Sequence, residues 1–344
     1  MQDASIDTAS LSAQYFSSDE DAREQLFADF FSNHYDGPHA SSEALARNLT
    51  ALITALDLLP PVDPVGNPKS DDLSSALQEA YGGMYKFCLS TPPGIDFAWN
   101  ATMGFISQLG NMTLRGEQVD AKSAAISELK WWISEYASGD ACDVSDDGEL
   151  AQESDITALA ITQQDLQRHF TDQLSKLALN RKARKDHIVN RIIAGRALRD
   201  GYATGSPTRN LYAGAFELRF IEVALLRKRG QPLFDGSYQS SADVIAATFL
   251  LRSSAKSLLR SFPSEGAEFD EPMRLAPLKA GQEGRDERLQ GWKNALETFV
   301  VGSEDQSNPS SFAVANYAAL ALENLQDPRD ESIEELFAWD KVVF

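Results

Sequence analysis

Apolar residues recur at spacings of three and four along nearly the whole chain, and alternating runs of strand type are scarce. The pattern predicts helices. One is expected to begin after Ser17-Ser18, which would cap an opening turn of Asp19, Glu20 and Asp21, and to bury Leu26, Phe27, Phe30 and Phe31. His34-Tyr35-Asp36-Gly37-Pro38 ends it. A second spans about Ser42 to Leu58, with Leu45, Leu49, Leu52, Ile53 and Leu56 along one face. After a stiff, proline-rich connector from Pro60 to Pro68, a third runs from Ser70 to about Leu89. Pro92-Pro93-Gly94 separates it from Phe97–Met112, a helix almost without charge and therefore expected at the centre of the N-terminal half. A fifth covers about Ala121 to Tyr136 and carries Trp131-Trp132. Adjacent helical positions point about 100° apart, so only one of the two indoles can face the core squarely.

From Ser138 to Asp155 the composition turns acidic and glycine-containing, the mark of an exposed loop and of a candidate boundary. The chain is read as one all-α domain, with possible sub-domains 1–138 and 156–344 on either side of that loop. Two long basic helices follow, about Gln163–Arg199 and Asn210–Arg229, joined through Gly201–Pro207. An apolar helix is expected over Ala242–Phe262, and a Pro- and Glu-rich loop over 263–284. Helices at about Arg285–Val301 and Ser311–Leu325 precede an acidic, apolar tail from Asp330 to Phe344. The sum is an irregular bundle of about ten helices with no sheet.

Composition narrows the function classes. A hydrophobic fraction of 43% supplies a packed core, and 24% charged residues is not a disordered composition. The net charge of −20 argues against general binding to nucleic acid or to an anionic membrane. No apolar run approaches the roughly 20 residues of a membrane span, and Met1–Ser18 lacks the basic leader and apolar core of a targeting peptide. Two cysteines, Cys88 and Cys142, suit a reducing compartment, so a cytoplasmic location is expected. One region runs against the acidic balance. Arg168–Arg229 holds 14 of the 31 Lys and Arg residues against five acids.

Few residues form a chemical constellation. Asp71, Ser75 and Glu79 share one face of the third helix, and their spelling resembles the second metal motif of class I terpene cyclases, where oxygen ligands hold Mg²⁺. That motif belongs late in its fold, behind an aspartate-rich partner that this chain lacks upstream. The reading taken is a helix start whose acids favour the dipole, and no metal or cofactor is expected. Arg181 and His187 echo the Arg–His pair of some helical ribonucleases, but six positions on a helix leave them about 120° apart. The acidic loop lacks the ligand spacing of a calcium site, and His34 and His39 have no ligand partners by sequence. Phosphate loops, nucleophile elbows and paired-cysteine motifs are absent from the sequence.

The basic face has three readings. Arg181, Lys182, Arg184, Lys185, His187 and Arg191 could follow an RNA or tRNA backbone, or meet an acidic partner protein. Alternatively the bases satisfy acids of this same chain, which suits Arg196, Arg199 and Arg219 interleaved with Ile192, Ile193, Leu218 and Phe220. The internal reading needs no partner and is placed first. The six residues just named are the candidate binding set; catalytic residues are not identified.

Trp99, Phe105 and Leu109 lie on the uncharged helix, Glu217-Leu218-Arg219-Phe220-Ile221-Glu222 on a basic one, and Arg288-Leu289-Gln290-Gly291-Trp292-Lys293 precedes Leu296-Glu297 and Phe299. In that order the segments resemble an uncharacterised family of fungal helical proteins known only as a domain of unknown function. Ala101, Met103, Ser107 and Gln108 depart from its first motif, and the last segment lacks the family's first Trp. The resemblance implies one all-α domain and no established activity.

The functional expectation is therefore a soluble helical protein that works by binding, as an interaction or regulatory module. A helical enzyme with an apolar substrate pocket around Trp99 is the alternative, and RNA binding through the basic helices the second.

Overall fold

The computed structural model describes residues 8–37, 39–58, 73–114, 116–133, 181–201, 221, 224–225, 241–260, 281–301 and 309–337. The acidic loop 139–155, most of the second basic helix and the 263–280 loop lie outside them. The protein is all-α, as the period predicts, and its backbone divides into two compact units, Met1–Trp132 and Ile133–Phe344.

The first unit holds α1 (Thr8–Ser17), α2 (Glu20–His34), α3 (Ser42–Leu56), α4 (Leu73–Ser90), α5 (Ile95–Gln108) and α6 (Ala121–Trp132). Helix α1 was not expected. Of its residues only Tyr15 is buried, so its sequence carries little periodic signal. Ser17 and Ser18 consequently close α1, both hydroxyls donating to the Gln14 carbonyl, and the cap of α2 is Asp19, which accepts from the Ala22 N–H at 2.9 Å. The uncharged helix stops at Gln108, where an antiparallel ribbon begins: β1 (Asn111–Leu114) pairs with β2 (Glu117–Asp120). This ribbon is the addition to an otherwise helical expectation. Its turn is made possible by Gly116 at φ +85°, and Leu114 and Val119 are its buried residues. Asp120 then caps α6, accepting from the Ser123 N–H at 3.0 Å and its hydroxyl at 2.7 Å.

Helices α2 and α4 cross closely. A Cβ on Gly83 would fall 2.8 Å from the Ala28 nitrogen and nearer still to the Phe27 Cβ, so only glycine lets the backbones approach this far. Phe31, Phe87, Tyr35 and Phe97 form the adjoining aromatic cluster, with Phe31 stacked on Phe87 at 5.9 Å. Trp132 is buried and Trp131 is 39% exposed, which resolves the paired indoles as the helical angle requires.

The second unit contains α7 (Arg181–Gly201), α8 (Ser241–Arg260), α9 (Gly281–Val301), α10 (Pro309–Asn324) and the short α11 (Ile333–Phe337). Helix α8 packs against α7, α10 and α11, and α9 against α10. Its core joins Ile188, Val189, Ile192, Ile193 and Leu198 of α7 to Phe249 and Leu250 of α8. Phe249 also meets Tyr317 at 5.1 Å and Phe337 at 5.7 Å. From Ile188 to Leu198 the described side chains of α7 are buried on nearly every side, Asn190 being the partly exposed one. Among the described residues, no helix is long and apolar enough to cross a membrane.

Candidate functional site

Each polar cluster that the fold assembles can be asked whether its groups are available for chemistry. In the first unit, Glu79 is buried on α4 and faces Arg23 of α2, whose Nη1 lies 3.5 Å from Oε1. The same guanidinium sits over the Tyr15 ring at 4.6 Å, and its Nε donates to the Tyr15 and Ser18 carbonyls at 3.1 and 3.0 Å. Burial pushes the Glu79 carboxyl above its ordinary range, against the Tyr15 hydroxyl and the Arg23 guanidinium, which favour the charged form. Glu79 thus ties α1, α2 and α4 together. Its neighbours on α4 turn elsewhere: Ser74 and Gln78 both donate to the Glu128 carboxylate of α6. Of the other two members of the supposed metal face, Ser75 is half-buried on α4 and Asp71 lies outside the described residues. Among those described, no group of three or more His, Cys, Asp and Glu side chains converges.

His34 is engaged on both ring nitrogens. Nδ1 lies 2.8 Å from the Phe30 carbonyl and must donate to it, which leaves Nε2 to accept from the Asn48 amide at 2.9 Å. A ring fixed in this tautomer bridges α2 and α3 and has no lone pair to spare. Cys88 is buried, and burial raises its thiol well above the ordinary range, so it is an inert core residue. Burial, assisted by the nearby Glu128 charge, likewise raises the Tyr81 hydroxyl, which donates to the Ala125 carbonyl at 2.7 Å.

Among the described residues of the second unit, a polar cluster lies where α8 breaks. Ser254 takes φ −152° and ψ 22° inside an otherwise helical run. Here Lys256 and Ser257 donate their N–H groups to Asp330 Oδ1 at 2.9 and 3.3 Å, and the Ser257 hydroxyl donates to Oδ2 at 2.8 Å. The Arg252 carbonyl accepts from the Glu331 N–H at 2.9 Å, and the Ser253 carbonyl from Arg196 Nη1 at 2.9 Å. Ser253 and Ser254 hydroxyls both donate to the Leu250 carbonyl, at 3.0 and 2.7 Å. Gly195 of α7 leaves room for these two serines; a Cβ there would lie 3.2 Å from Ser254 Oγ and closer to Ser253 Oγ. Arg252 reaches back to the same C-terminal segment, donating to Glu331 Oε2 through Nε at 3.0 Å and Nη2 at 2.7 Å, and to the Glu335 carbonyl at 2.9 Å. Asn324 Nδ2 completes Glu331 at 2.8 Å. An unpaired buried polar group costs about 1–3 kcal/mol, so satisfying the break in this way is what makes it tolerable.

The candidate binding residues divide along α7. Arg191 is buried at 1% exposure, so it is a core residue and not part of an outer face. Arg196, read as an internal group, is buried too, and one of its donors meets a backbone carbonyl. Arg181, Lys182, Arg184, Lys185 and His187 occupy the two turns before the buried run begins; their side chains lie outside the described atoms. Arg252, Asp330 and Glu331 form no motif that sequence reasoning picks out. The available signal was Arg252 itself, a cation directly after Phe249-Leu250-Leu251 and directly before paired serines. Of the residues that carry the fungal resemblance, Trp99, Phe105, Leu109, Arg288, Trp292 and Leu296 are buried, Leu289, Lys293 and Phe299 are half-buried, and Glu297 is exposed. Comparison with protein-family models, curated proteins and solved structures finds no match to this chain.

Proposed function

We propose that the chain works by binding, as an interaction or regulatory module, and that the opening of α7 is its contact surface for an acidic protein segment. One observation carries this. Helix α7 changes character at Ile188: of the three bases beyond it, Arg191 and Arg196 are taken into the core and Arg199 is half-buried, whereas Arg181, Lys182, Arg184 and Lys185 precede it. A helix N-terminus carries partial positive charge, and each cation placed there is unfavourable by about 0.3–1 kcal/mol at low salt. Three bases and no acid in the first turn, with Lys185 directly behind, are the reverse of what an isolated helix prefers. An anionic partner offsets that repulsion. The chemistry elsewhere agrees with a binding role: Glu79, His34 and Glu331 are committed to contacts inside the fold.

The test measures binding of a labelled poly-glutamate peptide and of a single-stranded RNA oligomer, by anisotropy, to the full chain and to its Arg181→Glu/Lys182→Glu/Arg184→Glu/Lys185→Glu variant. Peptide binding that weakens with salt, disappears in the variant and exceeds RNA binding is the expected result. Preferential RNA binding with a steep salt slope would transfer the surface to nucleic acid. Absence of peptide binding at low salt rejects the proposal.

A further inference from the structure

The sequence of α8 offers one local reason for the break at Ser254, the paired serines whose hydroxyls bond back to the Leu250 carbonyl. Ser241–Arg260 contains neither proline nor glycine, and Leu, Ala, Lys and Arg flank the serine pair. In a continuous helix the Lys256 N–H would bond the Arg252 carbonyl, and the Ser257 N–H the Ser253 carbonyl, each four residues back. Those are the groups that have found other partners. Asp330 takes both N–H groups, the Glu331 N–H takes one carbonyl, and Arg196 takes the other. The dipeptide Asp330-Glu331 is therefore inserted into the hydrogen-bond ladder, separating two consecutive rungs and capping both broken ends. Its own place is fixed by Arg252 and Asn324 on Glu331 and by buried Ile333, Leu336 and Phe337 just beyond.

We infer that Asp330-Glu331 is a removable wedge and α8 a two-position helix. With the wedge seated, α8 is broken and Arg196 of α7 is bonded to the exposed carbonyl. With the wedge withdrawn, the two rungs close on each other, α8 straightens, and the Arg196 donor is released. Both positions satisfy the same four backbone groups, so the cost of passing between them falls on the buried Arg252–Glu331 pair. The geometry of α8 beyond Ser254 and the engagement of α7 are thereby coupled to whether the C-terminal segment is docked.

The deciding measurement is the backbone conformation of Ser254 in the full chain, read from its Cα chemical shift, together with hydrogen exchange at Lys256 and Ser257. In Asp330→Ala/Glu331→Ala the Ser254 shift is expected to move to the helical side, with the two amides still protected. A folded variant in which Ser254 stays non-helical and both amides lose protection overturns the inference. The Ser253→Ala/Ser254→Ala variant, with the wedge intact, is the second arm and decides the matter even if the first variant unfolds. There the break is expected to persist. A continuous α8 in that variant would show that the serines, and not the wedge, impose the break.

Discussion

Removing Arg252 should be among the most damaging single changes in the second unit, and the cost can be bounded from its contacts. Its guanidinium is 3% exposed and sits against a Glu331 side chain that is 7% exposed, with Nη2 to Oε2 at 2.7 Å. Replacement by Met preserves most of the aliphatic volume but takes both guanidinium donors from the Glu331 carboxylate, to which Asn324 still donates, and leaves the Glu335 carbonyl without its guanidinium donor. Breaking a buried pair from one side costs about 3–5 kcal/mol, because the surviving charge is uncompensated. Replacing both partners, as in Arg252→Met/Glu331→Leu, removes that charge, and the double variant is expected to recover a large part of the loss. Urea unfolding followed by hydrogen exchange on peptides from 241–260 and 309–337 measures this within the second unit. A single-variant cost under about 1 kcal/mol, the range of exposed pairs, would refute the reasoning. So would a double variant less stable than Arg252→Met.

Two further predictions concern the first unit. Gly83→Ala is expected to destabilise it by about 1–3 kcal/mol or more through overpacking against α2 backbone, whereas Gly82→Ala meets the movable Glu24 carboxylate and should cost less; urea midpoints rank them. The raised Glu79 carboxyl makes a signed prediction. Its folded value lies above its unfolded one, so its contribution to stability is present below the unfolded value, near 4.5, and is lost as pH rises through the folded value. The unfolding midpoint of Glu79→Gln should therefore lose that fall above pH 4.5, and an unchanged pH profile would count against burial as the dominant influence.

The helical period was enough to locate α2, α3, α4 and α6 because each buries a stripe of large apolar residues, such as Leu45, Leu49, Leu52 and Leu56 of α3. It failed where burial is sparse. Helix α1 presents Tyr15 alone, and the Asn111–Asp120 ribbon is too short for alternation to stand out from the helix before it. Sequence also could not separate Arg191 from Arg181, since both stand in one basic run and only the packing of α7 takes the first inside. The break at Ser254 was illegible for a different reason: it is made by Asp330 and Glu331, more than seventy positions downstream. Local residues encode local preference, and here a distant segment overrides it.

The distance between Ser254 and its wedge also sets an order of events during synthesis. The first unit, Met1–Trp132, is compact in itself, so it can form while the rest of the chain is still being translated. The second cannot reach its final arrangement until Asp330 and Glu331 have left the ribosome, some seventy residues after α8 has. In that interval α8 is free to grow as one straight helix. Seating Asp330 and Glu331 then means opening a helix already formed, so the second unit is expected to reach its final arrangement through a local unwinding.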